Sequence, residues 1–434
     1  MRHVVVISED AMVYEDTETL KHLPNFGAIW DKAARVNRVR SIYPTVTYPC
    51  HVSMMTGVYP DKHGVVNNLS PVMCVKSSPW NFFADAIKVP TIFDKAHEAG
   101  LKTACVFWPV CGNSPSIDYL LDEYWPQRGE SVSQCFIDAG ASPDVMRIVN
   151  KYINLNVPRV HPYCDNFINC CACDIIREFR PQLIMIHPAN IDGYRHQSGV
   201  FSDYVTHGLH EIDNWLGDII RACKDAGIYD DTDFFIVSDH GQMNINRTVL
   251  PNSMFVRHGL ITVDEKGKIT DWKVFAKSTG LSTQVYLKDK SDRQTYDKVH
   301  ALLREMCDAG IYGMSRVYTT EECEREEHLS GDFSFVIESD GMSSFGDDWC
   351  EPYVRALDMS DYRFGHATHG HQPDKGPQPT LIAFGPDIKP GAVVEKARII
   401  DEPVTIARVL GLDMGDVDGH VIEGILRDEG RDSR

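Results

Sequence analysis

The chain has 434 residues, 43% of them hydrophobic and 24% charged, with 43 basic against 62 acidic side chains and a net charge of −19. That length supports a sizeable core in one large or two moderate domains, and the acidity argues against a nucleic-acid backbone or an anionic membrane surface as main partner. A small anionic substrate stays admissible, because a bound dication reverses the field locally.

His3 to Ser8 is a continuous apolar run rich in Val and Ile, the pattern of a strand buried on both faces. Glu9 and Asp10 close it, leaving it too short and too acidic-ended for a secretion signal. Next comes PTVTYPCHVSMMTGVYPDKHGV, Pro44 to Val65, where Thr47 stands two positions before Pro49 and so falls in the first turn of a helix. Asp165 to Arg177 reads as a helix, and Cys164, just before it, with Cys170, Cys171 and Cys173 within it, lack the paired C-x-x-C spacing of a metal knuckle and are expected in the core. Gln182 to His187 (QLIMIH) is a second buried strand. An amphipathic helix follows, with Leu209, Ile212, Trp215, Leu216, Ile219 and Ile220 on one stripe. Asp233 to Ser238 (DFFIVS) and Thr380 to Phe384 (TLIAF) complete the set of central strands.

Strand, helix, strand in this rhythm implies an α/β protein whose mostly parallel sheet carries helices on both faces. Residues 252–359 break the rhythm with alternating runs (Ile269 to Phe275, Thr283 to Leu287, Phe333 to Ile337) and a helix near Tyr296 to Met306. They are read as an inserted α+β cap, with 1–251 and 360–426 forming the core and the polar end from Arg427 fraying. No run of about 18 apolar residues suggests a spanning helix. Thirteen irregularly spaced cysteines point to free thiols in a reducing compartment, hence the cytoplasm.

Ligand-type residues recur where predicted strands end, the edge at which open α/β sheets bind ligands. Asp10 follows the first strand; Asp192 and His196 follow QLIMIH; Asp239 and His240 follow DFFIVS in SDHGQ; His369 sits in GHATHGH ahead of TLIAF. Three carboxylates and three imidazoles supply ligands for two divalent metals, with zinc suited to the mixture and manganese or iron as alternatives. His366 and His371 compete with His369 on spacing alone, whereas His51, His63 and His187 read as supporting histidines. Thr47, beside free N–H donors and the positive end of a helix dipole, lies in a natural phosphate site, although a hydroxyl there also serves simply as a cap.

As an ordered set from Asp10 to Pro386, these motifs resemble the alkaline phosphatase superfamily, and within it the nucleotide pyrophosphatase/phosphodiesterase (type I phosphodiesterase) branch, which also contains phosphonoacetate hydrolases. The resemblance implies a three-layer α/β/α fold with a cap. It implies Thr47 as nucleophile, one metal on Asp192, His196 and His369, and the other on Asp10, Asp239 and His240 with the Thr47 oxygen. A phospho-threonyl intermediate then forms and is hydrolysed, on a small phosphorylated substrate such as a nucleotide. Hydrolysis of a carbon–phosphorus bond, phosphomonoesterase action and a non-catalytic family member are the alternatives. One departure stands out: many members carry Asn three positions after the nucleophile, to hydrogen-bond a phosphoryl oxygen, and here that position is Cys50.

Overall fold

An eight-stranded sheet organises the computed structural model, which describes residues 2–76, 78–127, 129–360 and 365–427. Of the polar end expected to fray, Arg427 is instead held by hydrogen bonds to the Asp387 and Ile388 carbonyls, and the rest lies outside this range. In chain order its strands are β1 (His3–Ser8), β2 (Ala34–Arg40), β3 (Thr103–Val106), β4 (Tyr119–Leu121), β5 (Leu183–Ile186), β6 (Thr232–Val237), β7 (Leu381–Phe384) and β8 (Val393–Arg398). Across the sheet they run β8-β2-β7-β6-β1-β5-β3-β4. All neighbours are parallel except β7, which is antiparallel to both β2 and β6.

Every residue of β1 is buried because the sheet is covered on both faces. Side-chain alternation sends Val5 and Ile7 to one core with Phe167, Ile168, Leu209 and Ile212, and Val4 and Val6 to the opposite core with Val52, Met55 and Ile406. The first core is closed by α2 (Tyr163–Phe179) and α4 (Asp203–Asp225), the second by α1 (Thr47–Thr56) and α5 (Asp401–Leu410); α3 (Asn190–Ser198) lies between β5 and α4 in sequence. In α4 the stripe Leu209, Ile212, Trp215, Leu216 and Ile219 is buried and Ile220 half-buried. Each such aliphatic side chain contributes roughly 1.5–3 kcal/mol by leaving water.

The region 252–359 has its own four-stranded antiparallel sheet, ordered Val274–Ser278, Ser282–Leu287, Phe335–Ser339 and Met314–Thr319, with helix Arg293–Asp308. Val274, Phe275, Leu303, Phe335 and Ile337 fill the separate core between them. The expected run Ile269 to Phe275 is not one strand. Ile269–Trp272 pairs with Ile261–Val263, the Lys273 N–H donates to Leu260, and the chain then changes partners at Val274. A further small sheet joins Ser343–Phe345 and Val354–Arg355 to Arg247–Val249, so this layer borrows a strand from before residue 252. Among the described residues no helix is long and apolar enough to cross a membrane.

Candidate active site

Three parallel strands deliver the acidic groups to one edge of the sheet. Asp10 lies two residues past β1 and Asp239 two residues past β6, with His240 next to it. After β5 the chain turns into α3, where Asp192 and His196 stand one turn apart on the same face. Asp10 Oδ1 and Asp239 Oδ2 lie 3.6 and 3.2 Å from His240 Nε2. Asp192 approaches His196 Nε2 at 3.3 Å through Oδ2 and His369 Nε2 at 3.9 Å through Oδ1, and the His196 and His369 rings sit 5.2 Å apart. The two groups touch, because the His240 ring stacks on that of His369 at 4.1 Å and also comes within ligand range of Asp192.

Thr47 is the first residue of α1 and Val46 its N-cap, so the Thr47 hydroxyl does not cap the helix. Its Oγ1 instead lies 3.2 Å from His240 Nε2.

Backbone carbonyls aim the imidazoles. His196 Nδ1 meets Ala367 O at 2.7 Å and His369 Nδ1 meets Thr45 O at 3.1 Å, which turns each Nε2 toward Asp192. The competing histidines lie elsewhere: His366 is exposed, and His371 Nδ1 faces the Thr45 hydroxyl at 3.3 Å. His187 and His51 support the carboxylates, His187 Nε2 at 3.2 Å from Asp10 and His51 Nδ1 at 3.4 Å from Asp239 and 2.8 Å from the Thr47 carbonyl. His63 lies away from them, on the Ser53 hydroxyl.

The donor set fits divalent cations. Asp10 Oδ1 and Asp239 Oδ2 are buried with no hydrogen-bond partner among the described residues. Burial, followed by repulsion from Asp192 and Glu123, drives the Asp10 carboxyl well above its ordinary range, and burial plus the charge of Asp10 does the same to Asp239. Burial pulls His240 far down and His369 down to about 4, so both imidazoles are neutral and ready to donate a lone pair.

A cavity of about 410 Å³ opens over this cluster, lined by Asp10, Thr47, Asp192, His196 and His369 on one side and by Tyr48, Trp80, Trp125 and Arg159 on the other. Tyr48 and Trp125 each lie against Trp80, at 5.2 and 5.1 Å, and the Arg159 guanidinium lies over both indoles. Cys50 does not reach the cavity. It is fully buried on Ser41, 3.3 Å from its hydroxyl, so the substitution at that position costs no donor to substrate. An amide does stand in the cavity, that of Asn68, a residue that motif spacing alone does not single out. Asn68 lines the cavity, and its Oδ1 accepts from the Tyr48 N–H at 2.8 Å, so its NH₂ is not used in that bond. Adjacent asparagines in VVNNLS, just past TGVYPDKHG, are its only signal in the sequence. Asn68→Ala should lower kcat by about 10²-fold, the effect of removing one oxyanion donor, with metal content unchanged.

Between the two ligands of α3, Arg195 is completely buried; it donates to Asp16, to the Val200 carbonyl and to Ala11 O. This anchors the helix that presents Asp192 and His196. Arg195→Leu strands the buried Asp16 carboxylate and should cost roughly 3–5 kcal/mol in denaturant unfolding.

Sheet order, helices on both faces and a strand-end cluster of three carboxylates and three imidazoles around a hydroxyl define an alkaline-phosphatase-like molecule. The type I phosphodiesterase / nucleotide pyrophosphatase family matches residues 4–372, and the chain belongs to it. Mouse ectonucleotide pyrophosphatase/phosphodiesterase family member 3 is 24% identical over 249 residues, 55% of this chain and 24% of that protein. A Caenorhabditis elegans ectonucleotide pyrophosphatase/phosphodiesterase is 25% identical over 297 residues, 64% and 30% of the two chains. The matched stretch is thus under a third of the length of these relatives. The structure of murine ectonucleotide pyrophosphatase/phosphodiesterase 5 superposes with a TM-score of 0.68 at 17% identity, covering 98% of this chain and all of that one.

Proposed function

We propose that this protein is a two-metal phosphoryl hydrolase that cleaves a nucleotide-type phosphodiester or pyrophosphate through a phospho-threonyl intermediate on Thr47. The observation that carries the reading is the Thr47 hydroxyl standing 3.2 Å from His240 Nε2 within the six-donor cluster. Asp10, Asp239 and His240 would hold one cation beside Thr47, and Asp192, His196 and His369 the other, zinc being the ion best suited to these donors. Such a pair lowers the pKa of a nearby hydroxyl and offsets charge on the entering and departing oxygens.

Thr47 Oγ1 forms the new bond to phosphorus as the bond to the leaving oxygen breaks in line. Water then attacks phosphorus as the Thr47 Oγ1–phosphorus bond breaks, releasing the nucleoside monophosphate, and a proton from that water restores the hydroxyl. The Asn68 amide steadies a phosphoryl oxygen, and the Tyr48, Trp80 and Trp125 faces suit a base or aryl group. The cavity volume lies in the range of small-molecule sites. An inactive form of murine ectonucleotide pyrophosphatase/phosphodiesterase 5 has been captured with AMP, which favours a nucleotide here too. The thirteen unpaired thiols support a reducing, cytoplasmic setting. Cys50 lies outside the cavity, so its presence in place of Asn lends no support to a non-catalytic member.

The test sets nitrophenol release from an aryl nucleotide diester against phosphate release from phosphonoacetate and from a nitrophenyl monoester. The diester should be cleaved fastest. Faster release from phosphonoacetate would move the assignment to carbon–phosphorus hydrolysis, and no turnover of any would sink it.

A further inference from the structure

The cavity has a second wall of ligand-type side chains, not used by the chemistry above. His161 precedes α2, and Cys164 and Asp165 lie in its first turn; all three line the cavity. His161 Nδ1 lies 2.7 Å from Asp165 Oδ2, and Cys164 Sγ lies 3.5 Å from each of those atoms. Donors around a tetrahedral zinc ion stand roughly 3.3–3.6 Å apart, given bonds of about 2.0–2.3 Å. Two of the three separations already match, and the third opens by roughly half an ångström. Asp165 is fixed in place, since its side chain is fully buried and Oδ1 accepts the Ala189 N–H at 2.8 Å.

A His161–Asp165 ion pair alone would leave one observation unexplained. Glu9, 2% exposed, has an Oε2 with no hydrogen-bond partner among the described residues. Its parity along β1 is that of Val5 and Ile7, which face α2. Burial, reinforced by the charge of Asp165, pushes its carboxyl far up. A buried carboxylate and a thiol on one imidazole, with the buried Glu9 close enough to feel the charge of Asp165, make an acid-rich interior that a dication would balance.

We propose that His161, Cys164 and Asp165, with the Glu9 carboxylate behind them, form a third divalent-cation site of zinc type on the cavity wall. Three protein ligands leave the fourth position open to the cavity, for water or an anionic part of a substrate. Cys164 binds as thiolate, its proton passing to solvent as the ion enters. This separates Cys164 from Cys171 and Cys173, which lie in the core as the sequence suggested.

Cobalt substitution tests the site without reference to turnover. The full chain, stripped by chelator and titrated with Co²⁺ alone, should take up three ions and develop a thiolate-to-cobalt charge-transfer band. The nitrogen and oxygen donors of the other two groups give no such band. Cys164→Ser should reduce uptake to two ions and abolish the band, while Cys171→Ser should change neither. His161→Gln serves the same purpose if the Cys164 variant does not fold. Uptake of two ions without the band, or a band that survives in Cys164→Ser, overturns the proposal. A defect in the two-metal reading shows differently, as fewer ions with the thiolate band retained.

Discussion

Thr47→Ala is expected to lower kcat by about 10³-fold or more while leaving the fold and the bound metal largely as they are. The size follows from the role: removing the attacking oxygen leaves no group to form the phospho-enzyme, and the remaining residues only bind and polarise. The preserved fold follows from the local structure. Thr47 does not cap α1, and the neighbouring Tyr48 N–H is already satisfied by Asn68. Metal retention follows because Asp10, Asp239 and His240 approach one another without Thr47. Steady-state rates on the aryl diester, metal analysis and a melting curve would be read on the same preparation. An acid-quenched native sample should carry a nucleotidyl group, attached through phosphorus, on the Thr47 peptide, and the alanine variant none. Undiminished hydrolysis by Thr47→Ala would remove the nucleophile from the scheme.

Much of this was legible from the sequence because it is written in strands that are buried on both sides. A continuous Val/Ile run with Asp or His soon after it has bland readings as well, such as a helix cap or a turn, and Asp10, Asp192, Asp239 and His240 were singled out because such strand-end residues recur together in one chain. His369 was harder, with His366 and His371 close by. What separates them is the turn: Gly370 has a φ of +94°, and a Cβ there would lie 1.6 Å from the Thr279 carbonyl. That constraint comes from the cap and is invisible in the motif itself. Asn68 was missed, and Cys50 given weight, because sequence offset from Thr47 says nothing about direction. Cys50 turns away from the cavity onto the Ser41 hydroxyl, whereas Asn68 returns to the start of the helix from a separate loop. The split of Ile269 to Phe275 was likewise hidden, because alternation persists while the pairing partner changes.

Stripping the metal should produce the other large effect, the loss of all turnover on the diester, with recovery on adding zinc. It should also make stability fall with rising pH in a way the loaded protein does not. The sign comes from Asp10 and Asp239, whose carboxyls are raised by burial and by neighbouring negative charge. A group with a raised folded pKa contributes fully below its unfolded value, near 4, and its contribution is lost as pH rises through the folded value. As pH rises above the ordinary carboxylate range the stripped protein must therefore ionise two buried carboxylates, each with one oxygen lacking a hydrogen-bond partner among the described residues, whereas in the loaded protein the cations provide the compensating charge. Asp192 acts in the opposite direction: burial raises it, but His196 and His369 more than offset this and hold it low, so its contribution is lost only in strong acid. The gap in melting temperature between loaded and stripped protein should thus widen steadily with pH. Asp239→Asn provides the discriminating control, because it removes one of the two charges without changing the shape of the site. The stripped variant should show a flatter pH profile than stripped native protein, even though it binds metal more weakly when ions are returned. If the two stripped profiles coincide, the buried charge at Asp239 is not what the cations offset.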